Sequence, residues 1–108
     1  MSVGENYLAV ITTVESEAEA DRLAETIIES GLAACVQMQN IRSVYQWDGK
    51  LCREQEVLLT IKTRANRFSD LEKHIKANHT YQTPEIVALP IVAGSTEYLR
   101  WIDASVRP

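Results

Sequence analysis

Residues 32–63 read Leu32-Ala-Ala-Cys-Val-Gln-Met-Gln-Asn-Ile-Arg-Ser-Val-Tyr-Gln-Trp47-Asp48-Gly49-Lys50-Leu-Cys-Arg-Glu-Gln-Glu-Val-Leu-Leu-Thr-Ile-Lys-Thr63, and this stretch decides the fold. Asp48-Gly49 is a two-residue turn of the kind that needs positive φ, so the runs on either side are the arms of one hairpin. Both arms exceed the usual strand length of about 3–10 residues. At ~3.3 Å per residue, an arm of about 14 residues reaches roughly 45 Å. A compact domain of this chain length has a radius of gyration near ~13 Å and a diameter of about 34 Å. The hairpin must therefore protrude or bend, and a lone two-stranded ribbon is marginal in water. It wants a partner.

The alternation along the first arm says where that partner lies. Ala34, Val36 and Met38 share one face, and Cys35, Gln37 and Gln39 share the other. Beyond Asn40 the apolar set becomes Ile41, Tyr45 and Trp47, which have the parity of Cys35. A change of parity means a bulge or burial on the opposite face. The cover is most easily a second copy of the chain; the alternative is the terminal helix folded over the hairpin within one subunit. If Trp47 pairs with Lys50, then Cys35 lies opposite Lys62 and Cys52 opposite Tyr45. The thiols are then on the order of 30 Å apart, too far for a disulfide within the chain.

Tyr7–Val14 is apolar on both faces, which suits a central strand. Ser16 and Glu19 form a capping box, and Ala20, Leu23, Ala24, Ile27 and Ile28 then make one helical stripe that Gly31 ends. A second helix is expected from about Asn66 to Asn78, with Phe68, Leu71 and Ile75 on one side. Pro84 precedes a strand, Glu85–Leu89, which Pro90 ends. Gly94-Ser95 opens a last short helix with Tyr98, Leu99, Trp101 and Ile102. The order is βαββαβ plus a helix: an α+β, ferredoxin-like sandwich in one domain over residues 1–108.

The chain has 108 residues and a formal net charge of -4, and no basic stripe of the kind that binds nucleic acid. No apolar run approaches the ~20 residues of a membrane span, and Met1–Glu5 lacks the opening of a signal peptide. Cys35 and Cys52 form no CxxC pair. Cytoplasmic residence is the simple expectation.

Chemistry gathers at few places. A lysine beside a thiol favours the thiolate, the form that binds metal, so Lys62 opposite Cys35 makes that cysteine a candidate ligand. The plainer reading of Cys35 is a small buried hydrophobe. His79, Tyr81, Pro84 and Glu85 crowd one loop, and imidazole and carboxylate with a thiolate from elsewhere suit copper or zinc. His79 is equally readable as an imidazole on the last carbonyls of the second helix. His74 is expected on the solvated face of that helix. Tyr45, Trp47, Tyr98 and Trp101 are interface anchors or ordinary core. With 4 glycines, no phosphate loop and no GxSxG elbow, an enzyme is not expected.

Taken together, Val10-Ile-Thr-Thr13, Gly31-Leu-Ala-Ala-Cys-Val36, Ser43-Val-Tyr-Gln-Trp47 with Gly49-Lys50, Glu56-Val-Leu-Leu59 with Ile61-Lys-Thr63, and His79-Thr-Tyr81-Gln-Thr-Pro84-Glu85-Ile86 resemble the CutA family. Tyr98 and Trp101 complete the pattern, which runs in order over nearly the whole chain. The resemblance implies a homotrimer of ferredoxin-like subunits, built like the PII signalling trimers, with the hairpins packed between subunits. It implies tolerance to divalent cations, copper above all, and a metal site on Cys35, His79 and Glu85. Thr80 stands where the family often has proline, and Thr12 and Thr13 where some relatives carry a further thiol. The alternative reading is a PII-like trimer that senses a small anionic metabolite through Lys62, aided by Arg64. Either way the expected partners are the chain itself and a metal ion or small ligand, not nucleic acid or membrane.

Overall fold

The computed structural model describes residues 6–108, so the expectation for Met1–Glu5 lies outside the described residues. Strand β1 is Tyr7–Val14, helix α1 Glu17–Glu29, strand β2 Cys35–Trp47 and strand β3 Lys50–Arg64. A 3-10 turn at Ala65–Arg67 leads into helix α2, Phe68–Asn78. Strand β4, Val87–Pro90, and helix α3, Thr96–Ser105, complete the chain. The sheet order is β2-β3-β1-β4, with every neighbouring pair antiparallel. β1 is central, as its two apolar faces require.

Helix α1 starts where Ser16 Oγ accepts the Glu19 amide at 3.2 Å. The other half of the capping box does not form, because the Glu19 carboxylate accepts Arg22 at 2.8 Å instead. At the far end Gly31 has φ +71°, and a Cβ there would run into the Arg107 side chain. Strand β4 begins two residues later than expected and includes Pro90, which pairs with Leu8. Proline is tolerated because β4 is an edge strand and its missing N–H leaves no central ladder bond unmade.

One sheet face is covered by α1 and α2. Val10, Leu59 and Ile61 from the strands and Ile27, Leu71 and Ile75 from the helices lose all contact with water there. Such a residue is worth about 1.5–3 kcal/mol of hydrophobic burial. On α2, His74 corrects the expectation of a solvated side chain: its Nε2 lies 2.9 Å from Thr26 Oγ1 of α1. The Thr26 hydroxyl already donates to the Leu23 carbonyl at 2.9 Å, so the imidazole is the donor. Burial against α1 lowers the His74 pKa below its ordinary value.

The hairpin register runs unbroken from Cys35↔Lys62 to Trp47↔Lys50. No bulge interrupts this ladder. The change of parity is therefore a change of face: Val36 packs on the helix side, whereas Ile41, Tyr45 and Trp47 point to the other. Asp48 and Gly49, at φ 54° and 75°, make the expected turn. Helix α3 does not fold over the protruding half. It seats Leu99, Ile102 and Val106 against Tyr7 at the opposite end of the second face, where Tyr7 Oη donates to Asp103 at 2.6 Å. The outer hairpin is left bare, with Val44 65%, Leu51 61% and Trp47 52% exposed. The chain is accordingly elongated, 44 × 26 × 22 Å.

Candidate functional site

The loop between α2 and β4 is fixed by one imidazole. Helix α2 stops at Asn78, whose carbonyl is taken by Arg22 at 2.7 Å. The next residue, His79, is extended. Its Nδ1 accepts the Tyr81 amide at 3.0 Å, and its Nε2 lies 2.8 Å from the Thr13 carbonyl at the end of β1. Because Nδ1 accepts, the proton sits on Nε2 and is donated to Thr13. Neither nitrogen is spare, and the imidazole serves the β1 carbonyl rather than the last carbonyls of α2.

This pin aims Tyr81 across the sheet. Its hydroxyl donates to Glu56 Oε2 at 2.7 Å, and Glu56 is a buried carboxylate, 8% exposed. Burial, reinforced by the bond to Glu56, raises the Tyr81 pKa far above the ordinary phenol value. Between this loop and the inner side of the hairpin opens a cleft of about 700 Å³. Glu15, Glu54, Glu56 and Glu85 line it together with Tyr45, Trp47 and Tyr81, and among the described residues no lysine or arginine does. Such a cleft favours positive charge. Tyr45 shares the character: burial and the Glu54 carboxylate raise its pKa.

The candidate ligands do not all meet within the chain. Glu85 borders the cleft, whereas His79 does not line it and touches it only through its bonds to Thr13 and Tyr81, which do. Cys35 pairs with Lys62, which faces Ala9 on β1, four positions from Thr13. That separation is roughly 13 Å along the strands. Among the described residues no three His, Cys, Asp or Glu side chains are close enough to hold a metal ion. Both thiols are free. Lys62 lies at the α3 end of the same face, its Nζ 5.2 Å from the Tyr98 ring centre. Tyr98 in turn packs on Trp101 at 5.5 Å between centres. Sequence reasoning missed the Tyr81–Glu56 pair and the acidic wall. The signal was present in Glu54 and Glu56, two apart on one strand and hence on one face.

An antiparallel sheet in the order β4-β1-β3-β2, with two helices on one face, defines the ferredoxin-like class. Within it, the chain belongs to the CutA1 divalent ion tolerance protein family, whose model matches residues 8–105. The chain is 44% identical over 101 residues to a chloroplastic CutA protein of Arabidopsis thaliana, which covers 93% of this chain. It spans 56% of that relative's length, little more than half. A divalent-cation tolerance protein CutA of Thermus thermophilus is 45% identical over 94 residues, covering 86% of this chain and 91% of its own. The solved structure of a periplasmic divalent cation tolerance protein CutA from Archaeoglobus fulgidus superposes with a TM-score of 0.92 at 39% identity, over 94% of this chain and 99% of that one.

Proposed function

We propose that the protein binds a divalent transition-metal cation, copper by preference, in a cleft closed by a neighbouring subunit of a homotrimer, and that it acts in metal tolerance. The acidic cleft carries this reading: the four carboxylates that line it draw a cation and disfavour an anion, and His79 is bonded to Thr13 and Tyr81 of the same lining. The names of the relatives, divalent-cation tolerance proteins, support the same ligand class. Thiolate and imidazole suit copper over harder ions. Since Cys35 lies far from His79 in one chain, the set Cys35, His79 and Glu85 has to be completed across a subunit boundary. His79 must also release Thr13 or Tyr81 to coordinate, so binding reshapes the loop.

A binding role rather than catalysis fits the same distances, because a nucleophilic thiol and its base must lie within hydrogen-bond reach. Cytoplasmic residence fits the two free thiols, which suit a reducing compartment. One observation favours a second reading, a PII-like sensor of a small anionic metabolite. Lys62 and Arg64 gather at the α3 end of the open face without an ion-pair partner among the described residues. Native mass spectrometry of the reduced protein with one equivalent of copper tests the first reading. A three-subunit mass carrying about one ion per chain supports it, and a metal-free monomer overturns it.

A further inference from the structure

The hairpin has two chemically opposite faces, and they point to what fills the outer half of the acidic cleft. We propose that Arg42 and Arg53 of one copy enter the cleft of the next, between its Glu54 carboxylate and its Tyr45 and Trp47 rings. This rests on the trimer reading above and adds which surfaces meet.

The faces follow from the unbroken register. Val44 pairs with Arg53 and Arg42 with Gln55, which sets both arginines diagonally on one face beside Val44 and Leu51. Ser43 pairs with Glu54 and Tyr45 with Cys52, which sets Glu54 on the other face with Tyr45 and Trp47; Lys50, opposite Trp47, is on that face too, at the turn and outside the residues that line the cleft. Among the described residues neither arginine is in an ion pair. Val44 and Leu51 on the basic face and Trp47 on the acidic one are more than half exposed. A two-stranded ribbon bare on both faces does not hold itself in water.

Like faces cannot supply the cover. A two-fold contact would set arginine against arginine or carboxylate against carboxylate, and juxtaposed like charges repel. A head-to-tail contact sets the basic, aliphatic face of one copy on the acidic, aromatic face of the next. Guanidinium suits that cleft because its planar fork pairs with a carboxylate and stacks on aromatic rings. Head-to-tail contacts repeat until the ring closes. The inner end, with Glu15 and Glu85, stays free for the ion. A small organic cation would answer to the same carboxylates and rings, and is the competing occupant.

Arg53 and Glu54 are adjacent and point to opposite sides, so exchanging them moves one charge of each sign to the other face at constant net charge, while Arg42 and Glu56 stay in place. Sedimentation equilibrium over a dilution series, with chelator present, compares wild type, R53E, E54R and the double variant R53E/E54R. Each single variant is expected to dissociate at protein concentrations on the order of 100-fold higher than wild type, as for loss of a close interfacial charge pair. The double variant is expected to recover part of that loss, because residues 53 and 54 are again complementary while Arg42 and Glu56 are unchanged. R53Q, which adds no charge, serves if a reversal does not fold, and high salt is expected to dissociate the wild type. An oligomeric wild type with indifferent variants, or a double variant as weak as the singles, overturns the pairing of faces and leaves the trimer standing. Spermidine bound by the assembled wild type and lost in E54R overturns it too, by showing the outer cleft open. A monomeric wild type overturns the trimer reading itself.

Discussion

His79→Ala separates a structural imidazole from a free ligand. The substitution removes the bond to the Thr13 carbonyl at 2.8 Å and the acceptor of the Tyr81 amide at 3.0 Å. Each bond is worth about 1 kcal/mol net, and leaving its partner unmet where water is scarce raises the loss. Thr13 is only 5% exposed, so its carbonyl has little recourse to solvent. The ring also packs on Tyr81 at 4.8 Å between centres, and such a contact is worth about 0.5–1.5 kcal/mol. The expected total is about 2–4 kcal/mol. With a urea dependence of about 2 kcal/mol/M, the middle of the usual range, the unfolding midpoint should fall by roughly 1–2 M. The assay is urea unfolding at one protein concentration with a chelator present, so that neither metal nor mass action enters. His79→Gln, which retains a donor, should lose less. An unchanged midpoint in His79→Ala, with copper binding abolished, would refute the pin and show the imidazole to be a free ligand.

Other outcomes follow from the same geometry. Burial holds the His74 pKa below 6.5, so the native state binds fewer protons than the unfolded chain there. The stability this gives is present above pH 6.5 and is lost as pH falls through the lower, native value. His74→Gln should flatten that acid limb, measured as urea midpoints at two pH values. The raised pKa of Tyr81 acts in the opposite direction: its stabilisation is full below pH 10 and lost as pH rises above it. Tyr81→Phe should flatten the alkaline limb, and at neutral pH should cost about 1–3 kcal/mol by stripping Glu56 of its donor. If hairpins pack between copies, the melting temperature should rise with protein concentration. A concentration-independent value would exclude that assembly.

Much of the fold was legible because its signals are local. Asp48-Gly49 fixed the hairpin turn, the stripe from Ala20 to Ile28 fixed α1, and the register counted from Trp47 and Lys50 holds to Cys35 and Lys62. Two features were not legible, since each depends on a neighbour distant in sequence. His74 was expected in solvent because its own helix gives no sign of Thr26, 48 residues earlier. The parity change at Asn40 admitted either a bulge or an opposite face, and only the full ladder decides between them. The candidate site was half visible. His79 and Glu85 share a loop and Glu85 lines the cleft, but nothing local reveals that Thr13 and Tyr81 occupy both nitrogens of the imidazole and line the cleft in place of His79. Cys35 was placed correctly opposite Lys62. Its distance from His79 emerges only once β1 is threaded between β3 and β4.

The most direct test of cation binding across a subunit boundary is a titration of the reduced protein with copper against a competing chelator, comparing wild type with Cys35→Ser. Stoichiometric binding of about one ion per chain, lost in the variant although Cys35 lies far from His79 within a protomer, is the expected result. Weak binding left unchanged by the substitution would contradict it and give precedence to the small anionic ligand at Lys62.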